Sequence, residues 1–406
     1  MNALVHSTDR DHAHHARTGR RHRALVVSQV FPPAVGGSGH LLEGVYARFQ
    51  HGDVHVLTDA AAGHGAGARA DHLRVERVPM SAEHWGLLNV TGLRAHVTLA
   101  RAIWTRCLAV PTVVHCGRAL PEGIAASMAA AMPGGPKFLF WAHGEEITTA
   151  LTSRDFTFAM RRVHRTASAA IANSEHTAQV LESVGMPRSK VRVIYPGVDT
   201  ARFSPHADSG ALRRRLLRDG DTLMLSVGRC QPRKGFDLAI RAFAALAADL
   251  PGLRHVIVGD GEERPALETL AADLGVAGRV TFTGTVSAAD LPRYFAACDF
   301  FVHPNRVVAH DFEGFGLVFL EAAAAARPAI GGATGGVREA IEDGVTGILV
   351  SGTDVEELTS AIRMMAASGP LRQRMGAAAR ARVLRSFTWE RASKDVAALH
   401  AEVLAG

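Results

Sequence analysis

The chain reads as an α/β protein of two doubly wound domains, a prediction that rests on three observations. Short apolar, β-branched runs alternate with amphipathic segments over most of the length, the pattern of parallel strands joined by crossover helices. A turn-rich stretch, Tyr195-Pro-Gly-Val-Asp199 followed by Ser204-Pro205, interrupts that alternation before it resumes. Glycines, basic residues and carboxylates collect in segments that follow strands, where parallel sheets hold ligands.

Taken in order, residues 1–22 carry His12, His14, His15, Arg20 and Arg21 and no apolar run of signal-peptide length, so a disordered His/Arg-rich tail is expected. The first domain, 23–203, is predicted to contain strands at Ala24–Val30, Val54–Leu57, Leu73–Val78, Thr112–His115, Phe138–Trp141 and Ala169–Ala172. The second, 204–386, has them at Leu223–Val227, His255–Val258, Val280–Phe282, Phe300–Val302, Ala329–Ile330 and Gly347–Val350. Residues 387–406 open with Phe387-Thr-Trp-Glu390, with Ser386 or Thr388 as a cap, and predict a helix packing back across the groove between the domains.

Composition agrees with two soluble domains. The 406 residues are 47% hydrophobic, enough for substantial cores. A formal charge of +6 permits an anionic partner, although the tail supplies part of it. An aromatic content of 6%, much of it in predicted strands, argues against nucleic acid. Cys107, Cys116, Cys230 and Cys298 have neither metal-ligand nor CxxC spacing and read as small hydrophobes in a reducing cytosol. Nowhere do about 18 apolar residues run together, so a cytoplasmic protein is expected.

The richest segment is Glu313-Gly-Phe-Gly-Leu-Val-Phe-Leu-Glu321. Gly314 and Gly316, around Phe315, let the backbone approach a ligand, and a helix opening near Leu317 and Val318 turns unpaired N–H groups toward an anion. Glu313 in the loop can accept hydrogen bonds from sugar hydroxyls, and Glu321, about one turn into the helix, can face a ribose. After the first strand, Phe31-Pro-Pro-Ala-Val-Gly-Gly-Ser-Gly39 offers Gly36 and Gly37 to a phosphate. After Leu223–Val227, Gly228-Arg-Cys-Gln-Pro-Arg-Lys-Gly235 places Arg229, Arg233 and Lys234 in one loop, the charge a diphosphate needs. Gly261 in Gly259-Asp-Gly-Glu262, with Phe282 and Thr283 in Val280–Gly284, either exposes backbone to a nucleobase or is plain strand-to-helix punctuation.

In order and spacing these pieces resemble the family-4 retaining glycosyltransferases of the GT-B fold, from roughly Ala24 to Leu404. The matching residues are Gly36-Gly37, His143 in Ala142-His-Gly-Glu145, Asn173-Ser174, Tyr195-Pro-Gly-Val-Asp199, Arg229 with Lys234-Gly235, Val258-Gly-Asp-Gly261, the pair Glu313 and Glu321, and Gly335-Gly336. The resemblance implies two Rossmann-like domains closing over a nucleoside-diphosphate sugar, which is a substrate. It implies no cofactor and no metal.

In that reading Arg229 and Lys234 hold the diphosphate and stabilise leaving-group charge. Gly37 and the amides of Leu317 and Val318 add neutral donors, Glu313 orients sugar hydroxyls, Glu321 binds ribose, and His143 lies against the donor sugar. The implied catalytic set is His143, Arg229, Lys234 and Glu313. Gly36, Gly37, Gly228, Gly261, Phe282, Thr283, Gly314, Phe315, Gly316, Leu317, Val318 and Glu321 bind donor. The approach His303-Pro-Asn-Arg-Val-Val-Ala-His-Asp-Phe312 is longer and more polar than is common in the family. There Arg306 and His310 touch acceptor or sugar, or face water. It resembles the phosphatidylinositol mannosyltransferase-like branch, which suggests GDP-mannose while UDP-hexoses and UDP-GlcNAc stay open.

The resemblance further implies a hydroxyl acceptor, on a small molecule, glycan or lipid-linked group, chosen by the first domain. There the stretch from His84-Trp85 to Cys107 carries Arg94, Arg101 and Arg106, either to dock on anionic lipid or, the commoner case, as a core-facing crossover helix with arginines in water. The sequence does not set the oligomeric state. Two alternatives are an NAD(P)-dependent oxidoreductase with Asp59 as its ribose-binding acid, which lacks GxGxxG, and a noncatalytic nucleotide-sugar-binding protein.

Overall fold

The computed structural model describes residues 22–33, 36–60, 73–80, 90–150, 153–309 and 311–406, with backbone alone at 145, 149 and 150. The expected tail through Arg21, the stretch at His84-Trp85, His310 and the Glu145 side chain lie outside the described residues.

Two parallel sheets form the framework. The first contains β1 (Arg23–Ser28), β2 (Asp53–Asp59), β3 (Leu73–Val78), β4 (Thr112–Cys116), β5 (Lys137–Ala142), β6 (Ala169–Ala172) and β7 (Val191–Val193), in the order β3-β2-β1-β4-β5-β6-β7. The second contains β8 (Thr222–Val227), β9 (Leu253–Val258), β10 (Val280–Gly284), β11 (Phe300–His303), β12 (Ala329–Gly332) and β13 (Gly347–Val350), in the order β10-β9-β8-β11-β12-β13. Helices cover both faces of each sheet, which is why the strands read as continuous apolar runs. On β5, Phe138, Phe140 and Ala142 enter one core while Leu139 and Trp141 enter the other. On β8, Leu223, Leu225 and Val227 face one core and Met224 the opposite one. β7 escapes sequence reading because it has three residues, with Arg192 exposed at its centre.

Strand order reverses between β1 and β4 and again between β8 and β11. Such switch points open crevices beyond the carboxyl ends of the strands, so the loops that follow these four strands become ligand-facing.

The chain crosses between domains twice, and the two crossings touch. The Val198 N–H donates to the Phe387 carbonyl at 3.1 Å. Val198 and Phe203 pack among second-domain residues, Phe203 against Phe295 at 5.6 Å. On the return, Thr388 caps the helix Trp389–Ala405 by accepting from the Arg391 N–H. That helix lies on the helix Gly37–Tyr46. Trp389 is buried there, and a β-carbon at Gly44 would overlap its ring. Farther along, His400 meets His115 at 2.9 Å, and Arg48 pairs with Glu390 at 2.7 Å.

The helix Val90–Cys107 buries Leu99, Ala100 and Ile103, and Arg106 pairs with Glu76, so it is a core-facing crossover. Its outer face exposes Val90, Leu93 and Val97 together with Arg94 and Arg101. Among the described residues no helix is long and apolar enough to cross a membrane. Asp59 is buried and accepts from the Met80 N–H at 3.2 Å, a loop fastening that removes it from the dinucleotide role considered above.

Replacing Trp389 with Ala is expected to lower stability by about 3 to 5 kcal/mol in urea unfolding. A loss below about 1 kcal/mol would mean that this ring does not anchor the C-terminal helix.

Candidate active site

The second-domain wall is built around one carboxylate. After β8 a single turn, Pro232–Lys234, ends at Gly235 with φ 68°. After β11 the chain runs through Asn305 to Glu313, and the Glu313 Oε2 accepts from Lys234 Nζ at 2.5 Å, Arg233 Nη1 at 2.8 Å and Asn305 Nδ2 at 3.0 Å. Arg233 also reaches Asp311 at 2.9 Å through Nε. Burial would raise the Glu313 pKa, but the charges of Lys234 and Arg233 outweigh it and hold the carboxyl at about 2. Burial pulls Lys234 downward while Glu313 opposes. Behind them His303 is buried and pushed well below its ordinary range, first by burial and then by Lys234, so it stays neutral.

The turn after Glu313 has two requirements only glycine meets. Gly316 adopts φ 85° to enter the helix Leu317–Ala324. Gly314 passes so close to the first domain that a β-carbon there would overlap the His143 carbonyl oxygen. Its close neighbour is therefore protein, not only the ligand expected from sequence.

The first-domain wall rises from β1, β4 and β5. Gly36 precedes the helix Gly37–Tyr46, and Arg118, after β4, donates to the Ser38 hydroxyl at 3.3 Å. The His143 Nε2 meets the Gly117 carbonyl at 2.9 Å; a carbonyl only accepts, so this nitrogen carries the hydrogen. The His143 backbone N–H donates to Glu146 at 2.7 Å, and its ring stacks on Trp141. The walls are clasped by Glu339, which accepts from the Glu175 and His176 N–H groups at 2.8 and 3.1 Å, at the start of the helix Glu175–Ser183.

Between the walls lies a cleft of about 470 Å³. It brings together Gly36, Gly37, His143, Arg229, Lys234, Glu313, Gly314, Phe315, Gly316, Leu317 and Val318. Gly228, Gly261, Phe282, Thr283 and Glu321 stand outside its lining. Gly261 packs on the Cys230 carbonyl, Phe282 leans on the domain core, and the Thr283 hydroxyl donates to the Gly284 carbonyl at 2.8 Å. Glu321 keeps part of its surface in water, yet burial pushes it up to about 7 against the opposing charge of Arg202. Arg306 is paired with Asp237 at 2.9 Å rather than turned to a ligand. Arg118, Glu146, Asn305 and Asp311 went unselected in the sequence; Arg118 and Glu146 alone gave a signal, as charges just past strands.

Residues 36–202 match the family described as Glycosyltransferase Family 4, and residues 209–382 that described as Glycosyl transferases group 1. A GDP-mannose-dependent alpha-(1-6)-phosphatidylinositol monomannoside mannosyltransferase of Mycobacterium tuberculosis is 31% identical over 91% of this chain and 95% of its own. A D-inositol 3-phosphate glycosyltransferase of Geodermatophilus obscurus is 39% identical over 57% of this chain and 51% of its own. HepE of Anabaena, solved with UDP-glucose, superposes with a TM-score of 0.77 at 21% identity, covering 94% of this chain and 99% of that one. Two Rossmann-like domains around such a cleft define a glycosyltransferase of the GT-B class. The chain belongs to glycosyltransferase family 4, and it is similar to that family's phosphatidylinositol mannosyltransferases.

Two outcomes are expected. Gly314→Ala forces the walls apart and lowers turnover by about 10²-fold with circular dichroism unchanged; near-normal turnover would remove the close approach from the mechanism. Because the Glu313 pKa is depressed, its ionised form contributes roughly 3 kcal/mol above the unfolded pKa, lost as pH falls toward about 2. The stability gap between wild type and Glu313→Gln should therefore be full above about pH 5 and close in acid. A gap independent of pH would contradict the ion cluster.

Proposed function

We propose that the protein transfers a mannosyl group from GDP-mannose to an acceptor hydroxyl, with retention of anomeric configuration and without a metal ion. The donor assignment rests on the GDP-mannose-dependent relatives that align along nearly the whole chain. The observation that carries the mechanism is the state of Glu313. A carboxylate near pKa 2, with one oxygen held by three donors, is a poor base and no acid, so it orients the sugar as a fixed anion. Glu313 and Glu321 are therefore not an acid/base pair of the hydrolase kind.

The acceptor oxygen bonds to the anomeric carbon on the face from which the nucleoside diphosphate departs, and the acceptor proton passes to the departing phosphate oxygen. Lys234, Arg229 and the amides of Leu317 and Val318 stabilise the charge that grows on that phosphate. Arg229 is exposed in the cleft and makes no ion pair among the described residues, so it is available to the diphosphate.

The relatives' names carry a phosphatidylinositol mannoside and an inositol phosphate, which suggests a polyol acceptor bearing a phosphate ester. Four free cysteines suit a cytoplasmic setting. The apolar and basic outer face of the helix Val90–Cys107 suits peripheral contact with anionic lipid.

Lys234→Ala and Arg229→Ala should each lower turnover by about 10²-fold or more while melting cooperatively. Product followed by NMR in EDTA should show the donor's anomeric configuration. Inverted product, or activity abolished by EDTA and restored by Mg²⁺, would overturn the mechanism.

A further inference from the structure

We propose that Arg118 reads the acceptor: a phosphate ester on the acceptor docks on its guanidinium beside the Ser38 hydroxyl. This rests on the transfer reaction above and adds to it the residue that selects the acceptor.

Arg118 follows β4 at the first domain's switch point, one residue after Gly117, whose carbonyl fixes the His143 ring. It lines the cleft on the wall opposite Arg229 and Lys234, and is half-buried. The leaving diphosphate already has its cations on the second-domain wall, whereas Arg118 stands on the side from which an acceptor must approach.

Arg233, Lys234 and Arg306 are each matched to a carboxylate. Arg118 has a neutral hydroxyl at 3.3 Å and no ion pair among the described residues. The nearby carboxylates make no hydrogen bond to it among the described residues, although Glu122 feels its charge. Glu146 accepts from the His143 N–H, and Glu122 accepts from the Gln29 N–H at 2.9 Å and is pushed toward its neutral form by burial. A guanidinium held partly out of water with no carboxylate hydrogen-bonded to it is a fork suited to a phosphate ester, with the Ser38 hydroxyl as an added donor. A free phosphomonoester and a lipid-linked phosphodiester share this chemistry.

Calorimetric titration of GDP-loaded protein, in which the diphosphate site is filled, tests the assignment. D-inositol 3-phosphate is expected to bind about tenfold or more tightly than neutral myo-inositol, and Arg118→Ala to abolish that difference. Arg118→Lys should recover part of it. In turnover with GDP-mannose, Arg118→Ala should raise the acceptor KM by about tenfold or more and move the donor KM by less than about twofold. The acceptors are D-inositol 3-phosphate and phosphatidylinositol in mixed micelles. Discrimination in either arm supports the proposal and identifies the source of the phosphate. No preference for a phosphorylated acceptor in either arm overturns it. So does competition between GDP and D-inositol 3-phosphate, or an equal rise in donor KM, because the arginine would then belong to the donor. Failure of the transfer reading shows separately, as no GDP release from GDP-mannose by wild type.

Discussion

A carboxylate removed from water has to find its compensating charge within the protein, and the cost of failing is several kcal/mol. Glu313 finds it in Lys234 and Arg233 from the loop after β8 and in Asn305 from its own approach. Arg233 is further committed to Asp311. These contacts make each loop a condition of the other's shape. They also settle which groups are left for a ligand: Lys234 and Glu313 are fixed in mutual orientation, while Arg229 stays open at the cleft. The site is organised before substrate arrives, which is what electrostatic stabilisation of a leaving group requires.

The same loop decides how the two domains meet. Gly314 runs against the His143 carbonyl, and Glu339 clasps the helix Glu175–Ser183 from the other side. The C-terminal helix completes the arrangement by returning to the first domain, with Trp389 seated against Gly44. Two sheets with facing switch points thus bring loops from β1, β4, β5, β8 and β11 into one cleft, although the residues involved span from Gly36 to Val318.

Much of this was legible in the sequence because parallel strands buried on both faces leave a continuous apolar signature. Strand ends then located the loops, and Thr388 was readable as a cap. What escaped depended on distance in the chain. Lys234 and Glu313 are recognisable residues, but their bond spans 79 positions, and no local pattern announces that Arg233 shares it or that Asp311 holds Arg233. Gly314 looked like an approach to ligand and turned out also to be an approach between domains. Phe282 and Thr283 lie on the edge strand β10, Phe282 leaning on the core and the Thr283 hydroxyl donating to the Gly284 carbonyl. Arg118 lacked a motif, and that its hydrogen-bond partner is a hydroxyl and not a carboxylate is visible only when its neighbours' partners are known.

The proposed function requires that this cleft bind a nucleoside-diphosphate sugar through protein cations alone. The most direct measurement is the melting temperature, with nucleotide release, against GDP-, UDP-, ADP- and dTDP-sugars in EDTA. GDP-mannose is expected to raise the melting temperature and slowly yield free GDP. No shift with any nucleotide sugar, or a shift with NAD(P)H instead, would contradict it.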